Sequence, residues 1–152
     1  MSALEIAGVV SLLFIVVKFL FRKIRRAERI ISNAMNIKPH IVGDMIARMG
    51  VKKSQSFVED MLENTQESRQ IGAVCLLVYH TFFKDSSEEN IKWWHDRLVE
   101  QGFDPRLHRR HVDHVYLYFK DAGINLSSIV DFADAYNEAY CPLAPFPSTI
   151  KL

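Results

Sequence analysis

The sequence feature that most constrains the fold is a long apolar run followed directly by a basic cluster. Residues 3–21 contain two charged side chains, Glu5 and Lys18, and both lie near the ends of the run. At about 1.5 Å per residue, a helix of this length measures roughly 28 Å, which is close to the hydrocarbon thickness of a bilayer. Lys18 can extend its side chain toward the headgroups. The run therefore predicts a membrane-spanning helix.

Two other interpretations of this run fit its flanking residues less well. A cleaved leader carries positive charge before its apolar region and small residues at a cut site after it. Here Glu5 precedes the run, and the basic sequence of residues 22–26 follows it. A buried helix of a soluble domain needs polar residues at regular intervals, and residues 6–17 offer only Ser11. A retained anchor is the favoured interpretation.

The basic residues around the inner end of the run predict its orientation. They are Lys18, Arg22, Lys23, Arg25, Arg26 and Arg29. Basic residues that flank a span remain on the cytoplasmic side, so we expect the short N-terminus outside and residues 22–152 in the cytoplasm. Each charge near the surface adds on the order of 1 kcal/mol of attraction to anionic headgroups, which makes membrane lipid an expected partner.

A row of small residues on the span indicates a surface for self-association. Ala3, Ala7 and Ser11 recur every four residues, with Gly8 beside them. Such rows allow two helix backbones to approach closely in a membrane. A homo-oligomer formed through the transmembrane helix is therefore one expectation from the sequence.

The distribution of charge argues against nucleic acid as a partner. Residues 1–34 hold six basic and two acidic side chains, a net charge of +4, whereas the remainder holds thirteen basic and sixteen acidic, a net charge of −3. A nucleic-acid-binding domain usually carries the opposite sign. The two cysteines, Cys75 and Cys141, are too few for a disulfide scaffold and fit a reducing compartment.

Start and stop signals predict an all-α domain beyond the anchor. Pro39 suits a first helical position and Gly50 suits the residue after a helix end. The first three predicted helices are residues 39–49, a helix that Ser54 caps and that ends near Glu63, and residues 67–83. A fourth helix begins with a Ser86/Glu89 capping box and ends at Gly102. The last two helices run from Asp104-Pro105 to Gly123 and from Ser127 or Ser128 to about Glu138. The helix at 67–83 is the most apolar and is predicted to be central and buried, although its Val, Tyr and Phe content leaves a strand open.

These elements divide the chain into three parts. Residues 1–34 form the transmembrane anchor and a basic juxtamembrane helix, and residues 35–140 form a small cytoplasmic helical bundle. Residues 141–152 are predicted to be an extended tail, because Pro142, Pro145 and Pro147 remove backbone donors and fix the chain in an extended form.

The histidines are the main candidates for chemistry. His108, His111 and His114 are three residues apart on a predicted helix, and they fan across about 120°. All three cannot point at one ion, and a catalytic zinc needs three ligands and an open position. We therefore interpret this segment as an amphipathic helix with His108 on the core face beside Val112, Val115 and Phe119. A metal-dependent enzyme that uses this helix is an alternative.

No other chemistry is indicated by a motif. The six glycines are isolated, which excludes a Gly-rich phosphate loop, a dinucleotide fingerprint and a nucleophile elbow. His95 and Asp96 are unsuited to act as an acid–base pair, because neighbours in a helix diverge. We predict no catalytic residue, no cofactor and no metal site, and hence a protein that is not an enzyme.

The adjacent tryptophans predict a contact surface. Ile91, Trp94, His95, Leu98 and Val99 share one helix face and are expected to pack inward, so that Trp93 points away from them. An exposed tryptophan often marks a binding surface. The alternative is a helix buried on two sides.

Residues 40–62 suggest a second alternative function. A helix, a Gly-Val turn and a helix that begins Lys52-Lys53 resemble a helix-turn-helix. Ile46 occupies the position where that motif usually has a small residue, and the second helix has only these two basic residues. A membrane-tethered DNA binder is thus an alternative that the sequence supports weakly.

The sequence resembles the YicN-like family of bacterial inner-membrane proteins of unknown function. The resemblance lies in the apolar start with its arginine cluster, "MNIKPHIVGDMIARMG" (35–50), "NIKWWHDRL" (90–98) and "DFADAYNEAY" (131–140). It implies a bacterial inner-membrane protein with one anchor and brings no catalytic residues. The leading hypothesis is therefore a single-pass inner-membrane protein whose cytoplasmic helical domain binds another protein, with Trp93 on the partner surface.

Overall fold

The computed structural model describes residues 2–142 as a set of packed helices. The helices are α1 (Ala3–Met35), α2 (Pro39–Arg48), α3 (Val51–Leu62), α4 (Gln66–Phe83), α5 (Glu88–Glu100), α6 (Arg109–Phe119), a short 3-10 helix (Lys120–Ala122) and α7 (Leu126–Tyr140). Residues 2–142 contain no β-strand. The all-α prediction is confirmed, and the strand alternative for residues 67–83 is wrong. Most of the predicted extended tail, residues 143–152, lies outside the described residues.

Helix α1 has two different environments along its length. Residues 2–22 are all exposed, whereas Ala27, Ile31 and Met35 are completely buried. The helix continues without a break between these two parts and ends at Asn36, which has a left-handed backbone conformation with φ of 53°. The same helix therefore carries the apolar run at one end and contributes to the core of the bundle at the other.

Helix α4 is the centre of the bundle, as the sequence predicts. Every residue from Ile71 to Tyr79 is buried, and α4 packs against α1, α2, α3, α5 and α6. Helix α7 lies on the outside against α6. Because α4 is surrounded, its apolar residues occupy its whole circumference instead of one stripe, as expected for a core helix.

Gly72 permits the close approach of α1 and α3 to this central helix. A Cβ atom at Gly72 would lie 2.6 Å from Ile31 Cδ1 and 3.0 Å from Met61 Sδ. Both neighbours are completely buried, so they cannot move aside into solvent. The small size of Gly72 therefore sets the distance between three helices.

Helix α3 begins four residues before the predicted position, because Gly50 and not Ser54 is its N-cap. Gly50 has a φ of 85°, ends the α2 segment and is itself the N-cap of α3. The Ser54 hydroxyl does not cap the helix, because it donates to the Val51 carbonyl within the first turn. One glycine thus serves both helices, a role that its tolerance of positive φ allows.

The predicted caps of α5 and α7 are also displaced. Ser87, and not the Ser86/Glu89 pair, caps α5 by accepting a hydrogen bond from the Asn90 amide. Asn125 caps α7 by accepting from the Ser127 amide, so that Ser127 and Ser128 lie inside the helix. Both caps are residue types that favour this position, and the sequence offered several such residues in succession.

The predicted helix start at Asp104-Pro105 is wrong, because α6 begins only at Arg109. Two buried or half-buried amides hold residues 104–107 in an irregular conformation instead. Gln70 of α4 donates to the Asp104 carbonyl at 2.8 Å and accepts from the Asp104 amide at 3.1 Å. Asn137 of α7 makes the same pair of bonds with Leu107, at 3.0 and 2.8 Å. These backbone groups are therefore satisfied without a helix.

We expect Gly72→Ala to lower the free energy of unfolding by about 1–3 kcal/mol, because overpacking of the core outweighs the higher helix propensity of alanine. Gly43→Ala is the matched control, since its Cβ would meet only the flexible end of the Glu28 side chain. Urea unfolding of the full chain in mild detergent, followed by tryptophan fluorescence, measures both. Equal stability of the two variants would contradict the assigned role of Gly72.

Candidate functional site

The apolar half of α1 carries most of the large exposed apolar side chains among residues 2–142. In the described part of the chain, α1 is the one helix long and apolar enough to cross a bilayer, and none of its most apolar 18-residue window is buried. A core helix of a soluble protein would bury this surface. The exposed helix is compatible with a single-pass membrane anchor or with a signal sequence.

The six predicted topology residues all lie on α1 and form a basic collar, which we define as Lys18, Arg22, Lys23, Arg25, Arg26 and Arg29. Five of these side chains are exposed, and Lys23 is half-buried. Lys23 lies 3.4 Å from the Glu59 carboxylate of α3, an exposed pair that contributes little to stability. The collar begins at the inner end of the apolar run and extends to the level at which α1 enters the bundle.

The α2–α3 turn lies beside the inner end of the apolar run. Leu20, Lys23 and Ile24 of α1 line a groove of about 670 Å³ together with Val51 and Lys52 of α3. Val51 is 80% exposed although it is apolar. Lys52, the first lysine of the candidate recognition helix, therefore lines the same groove as Lys23 of the basic collar.

Trp93 and Trp94 have opposite environments, as expected for neighbours on a helix. Trp93 is 45% exposed and Trp94 is buried. Trp94 stacks on His80 of α4 with ring centroids 4.2 Å apart, and the Arg97 guanidinium lies 4.9 Å from the centre of the Trp93 ring. The exposed Trp93 and the half-buried Arg97 thus form a surface patch, which we call the Trp93 patch.

The predicted inward face of α5 is narrower than the sequence indicated. Val99 is 51% exposed, so its expected inward orientation is wrong. The reason is that α5 makes extensive contacts with only one helix, α4, so its core-facing stripe is narrow. His95 is half-buried and its Nδ1 atom lies 2.7 Å from the Tyr136 hydroxyl of α7, while Asp96 accepts from Lys92. His95 and Asp96 therefore have separate partners.

The three spaced histidines are directed to three different partners. His108 is the N-cap residue of α6 and lies 2.7 Å from Asp104, so its expected place in the core is wrong. His111 is buried and its Nε2 atom lies 3.0 Å from the Glu67 carboxylate. His114 is exposed and contacts the Arg110 carbonyl. Among residues 2–142, no group of three potential ligands could hold a metal ion.

The burial of His111 and its contact with Glu67 could not be predicted from the sequence. Its side chain is almost fully buried, and its Nδ1 atom has no hydrogen-bond partner in residues 2–142. Burial lowers the pKa of His111 even though the neighbouring Glu67 carboxylate acts in the opposite direction. The bond from the imidazole also lowers the pKa of Glu67. Because its pKa is lowered, the imidazole is neutral at neutral pH, and the tautomer that carries its proton on Nε2 can donate to the Glu67 carboxylate 3.0 Å away.

We expect the chain to lose stability as the pH falls through the region of 6.5 and below. A histidine whose pKa is lower in the folded than in the unfolded state binds fewer protons when folded, so the free energy of unfolding decreases with falling pH. Burial also lowers the pKa values of His80 and His95. His111→Gln retains a donor for Glu67 and should reduce this slope by up to about 1.4 kcal/mol per pH unit. Urea unfolding at pH 7.5 and 5.5 measures the slope, and an unchanged slope would reject the neutral buried imidazole.

The comparisons with known proteins agree with the fold and indicate no activity. No curated protein matches the chain. The crystal structure of a protein of unknown function from Yersinia pestis, YPO2564, is similar at a TM-score of 0.76 and 29% sequence identity, over 80% of this chain and 93% of that chain. The YicN-like name itself is a resemblance that these matches do not confirm. A family of proteins of unknown function, DUF1198, matches residues 1–143, and the chain therefore belongs to the DUF1198 family.

Proposed function

We propose that the chain is a single-pass protein of the bacterial inner membrane whose cytoplasmic helical domain binds another protein. The observation that carries the membrane part is the contrast within α1, where residues 2–22 are all exposed and Ala27, Ile31 and Met35 are completely buried. An apolar helix of this length is stable when lipid covers it, because all backbone groups are satisfied inside the helix. Lipid is thus the expected environment of the exposed half.

Two features favour a retained anchor over a cleaved leader. The helix continues from the apolar run into the bundle, whereas a leader ends in a segment with small residues that a peptidase can cut. The basic collar follows the run directly and does not precede it. The collar also supports an orientation with the N-terminus outside and the bundle in the cytoplasm.

The α2–α3 turn supports the same arrangement. Val51 and Lys52 line the same groove as Leu20, which is one residue before the end of the apolar run. An exposed valine followed by two lysines suits the boundary between lipid and water, where apolar side chains enter the acyl region and cations meet anionic headgroups. This geometry favours lipid over DNA as the contact of Lys52 and Lys53.

The Trp93 patch is the best candidate for the protein-binding surface. Tryptophan and arginine are enriched among the residues that dominate binding energy at interfaces. Trp93 has a fixed orientation, since it packs edge-on against the buried Trp94 with ring centroids 4.8 Å apart and has Arg97 over its face. A rigid exposed aromatic residue loses little conformational entropy when a partner covers it.

We expect deletion of residues 2–21 to move the protein from the membrane fraction to the soluble fraction, because the deletion removes the span. A phosphatase reporter after Leu152, active only outside the cytoplasm, is expected to be inactive, whereas a fluorescent reporter at the same position is expected to be active. A truncated protein that still sediments with membranes, or an active phosphatase fusion, would contradict the anchor or its orientation.

We expect Trp93→Ala to reduce photo-cross-linking between the full chain and its partner in native membranes by about tenfold or more, the range found for central aromatic residues at interfaces. Leu117→Ala on α6 is the matched control, because Leu117 is 49% exposed and lies on another helix. Cross-linked products that are equally abundant for both variants and the unmodified chain would exclude the Trp93 patch as the partner surface.

A further inference from the structure

A second cavity, distinct from the groove beside Val51, is lined by three arginines from two helices. It has a volume of about 550 Å³, and its lining includes Arg26 and Arg29 of α1 and Arg69 of α4. The volume lies in the range of small-molecule sites. All of its other lining residues are uncharged, and they are Ile30, Asn33, Ala34, Asn64, Gln66, Gln101 and Phe103.

The three guanidinium groups have no acidic partner within the described part of the chain. No carboxylate oxygen of residues 2–142 lies within 4.0 Å of Arg26, Arg29 or Arg69. By contrast, the exposed Arg109 and Arg110 of α6 contact Asp113 and Glu67. Like charges around one cavity repel each other, and a cavity with charge of a single sign attracts counter-ions.

Arg69 is held in position by neutral oxygen atoms. Its Nη1 atom donates to the carbonyl and to the side-chain oxygen of Asn64 at 2.7 and 2.8 Å, and its Nη2 atom donates to Gln66 at 3.3 Å. Asn64 presents both oxygens because its backbone is left-handed, with a φ of 52°. These bonds orient the guanidinium and leave its positive charge uncompensated by any carboxylate of residues 2–142.

We propose that this cavity binds a ligand that carries a phosphate group. Guanidinium groups match phosphate oxygens in geometry and retain their charge at all physiological pH values. The amides of Asn33 and Gln101 supply further donors, and Phe103 and Ile30 supply an apolar wall for an organic part of the ligand. This binding site is independent of the Trp93 patch.

The phosphate can belong to a dissolved molecule or to a lipid headgroup, and the position of the cavity bears on both. Arg26 is five residues beyond Phe21, which corresponds to roughly 7.5 Å along the helix axis, and Arg29 and Asn33 lie further from the apolar run. The part of the cavity lined by Arg26 is thus the part nearest the headgroup region of the proposed membrane, and the part lined by Asn33 is further from it.

The test is calorimetric titration of the full chain in nanodiscs, with two sources of phosphate. In the first arm, inorganic pyrophosphate is titrated into protein in zwitterionic phosphatidylcholine nanodiscs. In the second arm, short-chain phosphatidylglycerol is titrated into the same nanodiscs without pyrophosphate. Arg29→Gln and Arg69→Gln remove charges from the cavity, and Arg109→Gln is the matched control outside it.

We expect binding in one of the two arms, weakened about tenfold or more by Arg29→Gln and by Arg69→Gln, because each removes a charge-assisted hydrogen bond. Arg109→Gln should leave the affinity unchanged. Arg29 is exposed, so its variant is expected to fold even if Arg69→Gln disturbs the start of α4. Binding of pyrophosphate identifies a dissolved ligand, and binding of phosphatidylglycerol alone identifies a lipid. Absence of binding in both arms, or binding that Arg29→Gln does not weaken, overturns the proposal.

Discussion

The fold depends on α1 being one continuous helix with two kinds of surroundings. Its second half fills the core through Ala27, Ile31 and Met35, against a central helix that Gly72 allows to come close. Among the described residues, all of residues 2–22 in its first half are exposed. The apolar surface that drives folding of the bundle and the exposed apolar surface that we propose is covered by lipid therefore belong to one element, and the basic collar lies between them.

The polar contacts around the core fix irregular segments between helices and join neighbouring helices to each other. Gln70 and Asn137 hold the backbone of residues 104–107, and Asn64 combines a left-handed turn with two acceptors for Arg69. His95 and Tyr136 join α5 to α7. The amides of Gln70 and Asn137 thereby make hydrogen bonds to backbone groups that regular secondary structure would otherwise satisfy.

Much of the helical framework could be predicted from sequence because its signals are local. The apolar run, Pro39, Gly50 and the unbroken apolar segment at 67–83 each indicate an element through neighbouring residues alone. The opposite environments of Trp93 and Trp94 follow in the same way from helical periodicity. The predicted helix starts are less accurate where several capping residues occur together, as at Ser86 and Ser87, because each of these residue types favours the N-cap position. At Ser87 the cap is accompanied by hydrogen bonds from Ser87 and Asn90 to Asp85.

The sites that sequence reasoning missed consist of residues far apart in the chain. Glu67 and His111 are separated by 44 positions, and Arg69 is brought beside Arg26 and Arg29 only when α4 packs against α1. The periodicity of a single segment cannot predict which residues of two distant helices will lie side by side. Asp104 illustrates the converse case, because Asp-Pro is a sound helix start locally and the amide of Gln70, 34 residues away, overrides it.

The continuity of α1 has a mechanical consequence for a protein in the proposed orientation. A domain that a flexible linker joins to a membrane samples many orientations. A continuous helix of 33 residues, about 50 Å long, instead transmits rotation and tilt from one end to the other. A rotation of the apolar half of α1 about its axis would therefore rotate the bundle, and Trp93 with it, through the same angle. In the proposed arrangement, the helix therefore determines both the distance of Trp93 from the membrane surface and the direction in which this side chain faces.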